Sequence, residues 1–294
     1  MSHTRIWQSA VARILSKRFD QLSPNDVVAR FAQDLRKSGT QAKKLNLEVI
    51  SSGLGLSVVY QPLSVDALLK ETDGGYVAMV NSLTNKVRQR FSLAHELGHL
   101  ILFNSTGLTQ AFGHIASPDQ NTDANEMEDL CDLFATELLM PIDDWKKELF
   151  SKGISLKVLA RLMSRYGVSL PAAARRVIES NVWRCSIISW EPVYVENTLV
   201  EVKRVGCWEN TGSRSCSWPK TLENKIDLQV PGLPFCALKT GQESNGKIFL
   251  PNSKSKARFL AQSDILRGKT PRVATVAIPE HYGWDIILRS ASNS

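Results

Sequence analysis

Apolar residues recur at intervals of three and four along much of the chain, which predicts amphipathic helices. The N-terminal helices are predicted over residues 6–18, 25–37 and 41–52, and in the second Ser23 is the N-cap and Pro24 the first helical residue. The same spacing predicts four later helices, over residues 89–103, 125–139, 155–166 and 170–180. The Gly-, Ser-, Asn- and Asp-rich stretch 104–124 predicts a loop.

Short β-branched runs predict a small sheet among these helices. Leu56–Gln61 and Tyr76–Asn81 are predicted strands, and Asp73-Gly74-Gly75 is a turn between them. After about residue 180 the pattern changes to short strand-like runs (CSIISW, TLVEVKRVGCW, KIDLQV, KIFL and RVATVAI), with one further helix near 256–267. The predicted fold class is therefore α+β: a mostly helical domain with a small β-sheet over residues 1–180, then a mainly β domain over residues 181–294.

Composition is that of a globular protein with a core of its own. The chain has 294 residues, of which 43% are hydrophobic and 22% charged. It contains no apolar run of the roughly 18 residues that a membrane span needs, and its N-terminus lacks the pattern of a signal peptide. The five cysteines include no CxxC pair, so neither a disulfide framework nor a structural zinc knuckle is predicted. We expect a cytoplasmic protein with no membrane partner.

Charge is distributed unevenly along the chain. The net charge is +7, yet residues 91–150 contain two basic and eleven acidic residues. The flanking stretches are basic, with nine basic against three acidic residues in 1–45 and six against one in 151–180. Basic flanks can attract nucleic acid, although most such charge belongs to solvated surface. Nucleic acid is therefore a partner that the charge permits but does not require.

A helical HExxH motif supplies the chemistry. His95 and His99 lie four residues apart in a predicted helix, so their imidazoles share one face and can bind one metal ion. Glu96 follows the first histidine and is the predicted general base for a zinc-activated water. A chance occurrence is the alternative, but it would leave two histidines and a glutamate buried at high cost in an apolar helix.

A catalytic zinc site needs a third protein ligand, and an acidic helix downstream offers one. Glu128 and Asp132 share a face of the predicted helix 125–139, whereas Glu126 faces elsewhere. We expect Glu128 to bind zinc, and Asp132 to accept the spare N–H of a ligand histidine. His114, in the predicted loop, is the rival ligand.

These residues carry a family resemblance. RQRFSLAHELGHLIL, the later EDLCDLFATELLMP and VSLPAAARRV at 168–177 together resemble the ImmA/IrrE family of metallopeptidases, which is a group of gluzincin-like zinc proteases. The resemblance covers about residues 25–180. The chain departs from the family at Cys131-Asp132, where Ala-Asn is usual, but Asp132 keeps a hydrogen-bond acceptor.

The resemblance implies a zincin-like protease domain that holds one zinc ion per chain. It also implies a protein substrate cut at one or a few sites, such as a helix-turn-helix repressor, in stress response, mobile-element control or phage defence. Two alternatives stay open. One is a DNA-associated regulatory protein that keeps the zinc fold, and the other is a toxin protease of a toxin–antitoxin or defence system.

The sequence allows only partial expectations about how a substrate is held. In zincin-like sites a substrate strand commonly adds to a sheet edge, and Tyr76–Asn81 (Tyr76, Val77, Ala78, Met79, Val80 and Asn81) is the candidate edge, with an ordinary inner strand as the alternative. The oxyanion of the transition state needs a further donor, for which Tyr76, His114 and Arg90 are candidates. Residues 181–294 carry no catalytic motif, so a substrate-binding or sensing role is left open. The oligomeric state is not indicated.

Overall fold

The computed structural model describes a mixed α+β chain. The described residues are 7–39, 45–107, 122–196, 198–210, 221–223, 234, 237–238, 244–250, 257–266 and 272–279. They form two compact units, Met1–Pro141 and Ile142–Ser294. The predicted α+β class is confirmed, since helices and two sheets alternate along the described part of the chain. Within that part, no helix combines the length and the apolar character that crossing a membrane would require.

Polar side chains that accept backbone N–H groups start several helices of the first unit. Ser9, Asn46 and Asn85 cap α1, α3 and α4, and the hydroxyl of the predicted cap Ser23 accepts the backbone N–H of Asp26 at the start of α2. The helices of this unit are α1 (Ala10–Arg18), α2 (Pro24–Gly39), α3 (Leu47–Gly53), α4 (Lys86–Thr106) and α5 (Thr122–Leu139).

The first unit contains a three-stranded sheet in the order β1-β3-β2, with β1 (Leu56–Gln61), β2 (Ala67–Thr72) and β3 (Gly75–Asn81). β3 pairs parallel to β1 and antiparallel to β2, so both of its edges are occupied. The expectation that this strand is the free edge is therefore wrong, and it is wrong for all of its residues: Tyr76, Val77, Ala78, Met79, Val80 and Asn81.

β2 is the strand that the sequence pattern missed. Its run ALLKET contains no valine, isoleucine or aromatic residue, so it carries little strand signal of its own. It forms because Asp73 and Gly74 make a two-residue turn that folds it back on β3. Gly75 follows with a φ of 119°, a value that favours glycine. The hairpin puts β2, rather than β3, at the edge of the sheet.

Close packing of α4 against α5 brings the two halves of the predicted site together. Leu93 and Leu97 on α4 are buried, as is Phe134 on α5. A methyl group added to Gly98 would lie 3.2 Å from the Cα of Cys131 and 3.3 Å from a ring carbon of Phe134. A Cβ at this position would require α5 to move by a few tenths of an ångström, so Gly98 favours the close approach of the two helices.

The second unit joins three helices to an antiparallel sheet. The helices are α6 (Ile142–Lys152), α7 (Leu156–Tyr166) and α8 (Leu170–Ser180). The strands follow in the sheet order β6-β5-β4-β9-β8-β7, with bounds β4 (Ser186–Val195), β5 (Thr198–Glu209), β6 (Thr221–Glu223), β7 (Ser244–Leu250), β8 (Ala257–Leu266) and β9 (Arg272–Pro279). The change from helices to strands thus comes where the sequence predicts it, while the compact unit begins earlier, at Ile142.

One predicted element of the second unit is wrong, and one lies outside the described residues. The stretch 256–267, predicted as a helix, contains strand β8, which pairs with β7 and with β9. Its Ala, Leu, Gln and Arg residues favour helices in isolation, but pairing on both edges overrides that preference. The predicted strand KIDLQV, residues 225–230, lies outside the described part of the chain.

Candidate metal centre

Helix α4 presents the two histidines of the motif side by side. The helix starts at the Asn85 cap and runs without interruption to Thr106. His95 and His99 are therefore one turn apart, with ring centroids separated by 4.9 Å and an angle of 69° between the ring planes. Both side chains are largely buried, at 16% and 12% exposure. The rings are close enough to share one ligand.

The carboxylate of Glu128 on α5 faces both imidazoles. Its Oε2 lies 3.0 Å from Nε2 of His95, and its Oε1 lies 3.4 Å from Nε2 of His99. Two imidazole nitrogens and one carboxylate are a donor set that suits zinc and leaves a coordination position open. The structure thus brings together the three residues that the sequence proposes as ligands, and the donor set fits the metal that the motif implies.

Asp132 lies one turn further along α5 and holds the far side of the first histidine. Its Oδ1 is 2.9 Å from Nδ1 of His95. This contact places the proton on Nδ1 and leaves Nε2, which faces Glu128, as the atom available to a metal. The predicted pair Glu128 and Asp132 does share a helix face, because both reach the same imidazole.

His99 is held less firmly. Its Nδ1 is buried and has no hydrogen-bond partner among the described residues. A buried ring nitrogen without a partner costs free energy, and no contact at Nδ1 fixes the direction of this imidazole. The asymmetry makes Asp132 the main orienting contact of the pair.

The two carboxylates shift the ionisation of the cluster when no metal is bound. Burial opposes the charged form of His95, but the hydrogen bonds with Asp132 and Glu128 outweigh burial and raise the pKa of His95 to about 10. Burial also acts against the charged form of Glu128, yet its bonds to the two histidines hold the pKa of Glu128 well below its usual range. A proton therefore occupies the place between His95 and Glu128 that a cation would take.

Glu96 lies beside the histidines and is almost fully buried, at 6% exposure. Burial raises the pKa of its carboxyl group, while the nearby imidazoles of His99 and His95 and the backbone N–H of Leu69 act in the opposite direction. A carboxylate with a raised pKa is a better proton acceptor near neutral pH. The contact with Leu69 also ties the predicted base to strand β2.

That contact identifies the backbone groups at the free edge of β2. In an antiparallel pair, successive residues point their N–H and C=O groups alternately toward and away from the partner strand. Since the N–H of Leu69 reaches Glu96, the odd-numbered residues of β2 point away from β3. Ala67, Leu69 and Glu71 therefore face the edge that pairs with no strand among the described residues, whereas Leu68, Lys70 and Thr72 bond to β3. The free edge begins next to Glu96.

An ion pair joins the start of β2 to α4. The guanidinium of Arg88 donates through Nε and Nη2 to Oδ2 of Asp66, and the Nε–Oδ2 distance is 2.9 Å. The same hydrogen bond lowers the pKa of Asp66. Both side chains are partly exposed, so the pair contributes little to stability, but it fixes the strand relative to the helix that carries His95.

Cys131 competes with Glu128 as a geometric choice for the third ligand. Its Sγ and one nitrogen from each of His95 and His99 all lie within 4.8 Å of one another. Burial together with the neighbouring carboxylates raises the pKa of Cys131 well above its usual value, so the thiol keeps its proton when no metal is bound. The side chain is fully buried against Gly98. Cys131 therefore contributes to the packing of α4 against α5.

The other residues predicted for the site belong to β3, to α4 or to the part of the chain outside the described residues. Tyr76 is in β3, and among the described residues no hydrogen bond from its hydroxyl is seen. Arg90 donates through Nη2 to the carbonyl of Leu45 at 3.1 Å and so contacts the segment before α3, while its role toward an oxyanion stays a prediction. Asn81 binds backbone groups of Leu63 and Val65. His114 lies outside the described residues.

Comparison with known proteins agrees with the geometry. Residues 52–177 match the family described as the IrrE N-terminal-like domain. Two proteins described as radiation response metalloprotease IrrE are similar: one from Deinococcus deserti, 29% identical over 130 residues (42% of this chain and 43% of that protein), and one from Deinococcus radiodurans, 34% identical over 103 residues (35% and 31%). The chain thus spans less than half the length of these relatives.

A solved structure resembles the chain over almost its whole length. It is described as a Mycobacterium tuberculosis transcriptional regulator, and it aligns with a TM-score of 0.54 over 97% of this chain and 84% of its own. The identity is 11%, so this likeness concerns the fold alone.

Proposed function

We propose that this protein is a zinc-dependent, site-specific endopeptidase. The premise is that residues 52–177 match the IrrE N-terminal-like domain, which places the chain in the ImmA/IrrE family of metallopeptidases. The observation that carries the proposal is the convergence of His95, His99 and Glu128 beside the buried carboxylate of Glu96. The substrate we propose is a regulatory protein, such as a helix-turn-helix repressor.

The residues of the centre divide the work between holding the metal and moving a proton. His95, His99 and Glu128 would bind zinc, and Asp132 would keep His95 in the required orientation. Bound zinc would supply a Lewis acid and would lower the pKa of a coordinated water to about 7. Glu96 would accept a proton from the attacking water at its carboxylate and then deliver it to the leaving amine.

Strand β2 is the proposed site for the substrate backbone. An extended peptide that adds to its free edge would pair with the outward groups of Ala67 and Glu71, since the N–H of Leu69 is already bound to Glu96. Backbone pairing would fix the peptide in place while leaving side-chain recognition to other groups. The edge and the base are adjacent, so a peptide held there would present a carbonyl to the reacting centre.

Glu96→Gln is the direct test of the mechanism. The substitution keeps the shape of the side chain and removes its basicity, so we expect unchanged zinc content and loss of cleavage by a factor of about 100 or more. Zinc content is measured by elemental analysis of the purified variant. Cleavage is measured by co-expression with a repressor encoded beside this chain, followed by mass spectrometry of fragments. Full cleavage by the variant would refute the mechanism.

A DNA-associated regulatory protein is the second candidate, and one feature favours it. Helices α7 and α8 each have 11 residues and are joined by a three-residue turn with Gly167 in the left-handed region. Arg161 and Arg165 lie exposed on the first of these helices. This candidate predicts DNA binding that weakens steeply with salt and a biological effect that survives Glu96→Gln. A toxin protease would instead arrest growth on expression, and Glu96→Gln would abolish the arrest.

A further inference from the structure

A second carboxylate of α5 makes contacts that the metal centre does not explain. Glu126 is buried, at 4% exposure, and its carboxylate contacts the segment that precedes α1. Its two carboxylate oxygens accept the backbone N–H of Gln8 at 2.9 and 3.0 Å, and Oε2 also accepts the backbone N–H of Ser9 at 2.7 Å. These are charge-assisted hydrogen bonds between residues more than a hundred positions apart in the chain.

The segment that Glu126 binds is the start of α1. The hydroxyl of Ser9 caps this helix by accepting the N–H of Ala12, so Ser9 and Glu126 together satisfy three backbone donors there. A carboxylate is also favoured at this position by the helix dipole. Val11 and Leu15 on the inner face of α1 are fully buried, which anchors the helix to the core.

The other end of α1 is fixed to α4. The guanidinium of Arg18 in the last turn of α1 donates to the carbonyl of Ser105 in the last turn of α4. One short helix is therefore bonded at its N-terminus to the helix that carries Glu128 and at its C-terminus to the helix that carries His95 and His99. We refer to α1 with these two end contacts as the strap.

We propose that Glu126 is a positioning residue for the metal centre, which acts by locking the first turns of α5 to the strap. The inference rests on the metal centre proposed above. Glu128 follows Glu126 by two residues, so it projects from nearly the opposite side of the same helical turn. Any rotation or shift of α5 about the Glu126 contact moves the carboxylate of Glu128 relative to His95 and His99.

A loss of the lock should appear as weaker metal binding. In Glu126→Gln the charge is removed, and an NH2 group replaces one of the two oxygens that accept the N–H of Gln8, so the hydrogen bonds lose their charge assistance and one contact becomes donor against donor. Contacts that orient a metal ligand are commonly worth about 10–100-fold in metal affinity. We expect about a tenfold weaker zinc affinity for Glu126→Gln, measured by competition with a chromophoric chelator and without reference to catalysis.

Ser9→Ala is the matched control. It removes the cap hydroxyl of α1 but keeps the backbone N–H that binds Glu126, so it should lower the melting temperature and leave zinc affinity within about twofold of the wild type. Equal zinc affinity in wild type and Glu126→Gln would overturn the proposal. An equal loss in Ser9→Ala and Glu126→Gln would also overturn it, because the effect would then follow general stability.

Two further measurements separate this inference from the proposed function. Glu128→Ala should weaken zinc binding strongly, and if it does not, the metal centre itself is wrong. If Glu128→Ala weakens binding and Glu126→Gln does not, only the positioning role fails. Should Glu126→Gln not fold, hydrogen exchange on the wild type still decides: added zinc should slow exchange of the Gln8 and Ser9 amides, and no change would overturn the proposal.

Discussion

The carboxylate of Asp132 lies 2.9 Å from Nδ1 of His95, on the side of the imidazole opposite to the nitrogen that faces Glu128. This one contact sets both the tautomer and the direction of the first histidine. His99 has no such contact from its own Nδ1 within the described residues. The centre therefore depends on Asp132 more than a symmetric pair of histidines would.

Asp132→Ala should weaken zinc binding by about 10–100-fold, because His95 loses the acceptor that orients it. Asp132→Asn is the control: its amide oxygen can still accept from Nδ1, so we expect at most a fewfold loss. Chelator competition on the two purified variants measures the difference. Equal affinities in the two variants would show that Asp132 does not orient His95.

Cys131→Ala should leave zinc stoichiometry and affinity unchanged, since the thiol belongs to the contact with Gly98. We expect a loss of about 1 kcal/mol in unfolding free energy from the small cavity that it creates. Cobalt substitution gives an independent readout, because a thiolate ligand produces an intense charge-transfer band. Such a band in the wild type, absent in Cys131→Ala, would reassign the third ligand.

Zinc affinity should rise with pH. With no metal bound, the pKa of His95 is raised from 6.5 to about 10, so at neutral pH zinc must displace a proton. Between neutral pH and about 10, we expect zinc affinity to rise about tenfold per pH unit, because one proton is released on binding. Calorimetric titrations in buffers of different ionisation enthalpy should report that proton. Affinity that does not change with pH would contradict the assigned charge state.

The same ionisations predict that the stabilities of the metal-free and the zinc-loaded protein change differently with pH. The contribution from the raised pKa of His95 is complete below 6.5 and is lost as pH rises through about 10. The contribution from the lowered pKa of Glu128 is present above 4.5 and is lost as pH falls. The difference in melting temperature between zinc-loaded and metal-free protein should therefore widen as pH rises from 6.5. If the melting temperatures of the two forms changed in parallel with pH, this prediction would be wrong.

Two proline substitutions in β2 should separate substrate binding from folding. Glu71→Pro removes an outward N–H, so we expect the sheet to survive and KM for a protein substrate to rise about tenfold or more. Lys70→Pro removes an N–H that bonds to β3 and should cost roughly 3 kcal/mol of stability. Cleavage kinetics and thermal melts of both variants test this. A reversed pattern would mean that β2 has the other register.

The local sequence pattern was sufficient to predict those parts of the site whose residues share one helix. The spacing of His95, Glu96 and His99, and that of Glu128 and Asp132, depends only on helical geometry, and the structure brings these side chains together as expected. The resemblance to the ImmA/IrrE family, which rests on the same residues, is confirmed by the family match.

The local sequence pattern could not predict which distant segments pair with each other. Whether β3 is an edge depends on β2, a strand whose Ala, Leu, Lys and Glu residues carry little strand signal and which forms as half of a hairpin. β8 likewise takes its structure from its neighbours. Glu126 was assigned to a face away from the metal, but its partner at Gln8 lies beyond any local window.

The hydrogen bond between the Leu69 amide and Glu96 has a consequence for cleavage specificity. Under the proposed function, this bond would hold the strand that pairs with the substrate and the general base as one rigid unit, so the cleaved bond would lie at a fixed number of residues along the paired backbone. A cleavage position that is fixed in this way would tolerate varied side chains on either side of the scissile bond. Selectivity would then have to come from whether a target exposes an extended segment at all, which makes the shape of the target decisive.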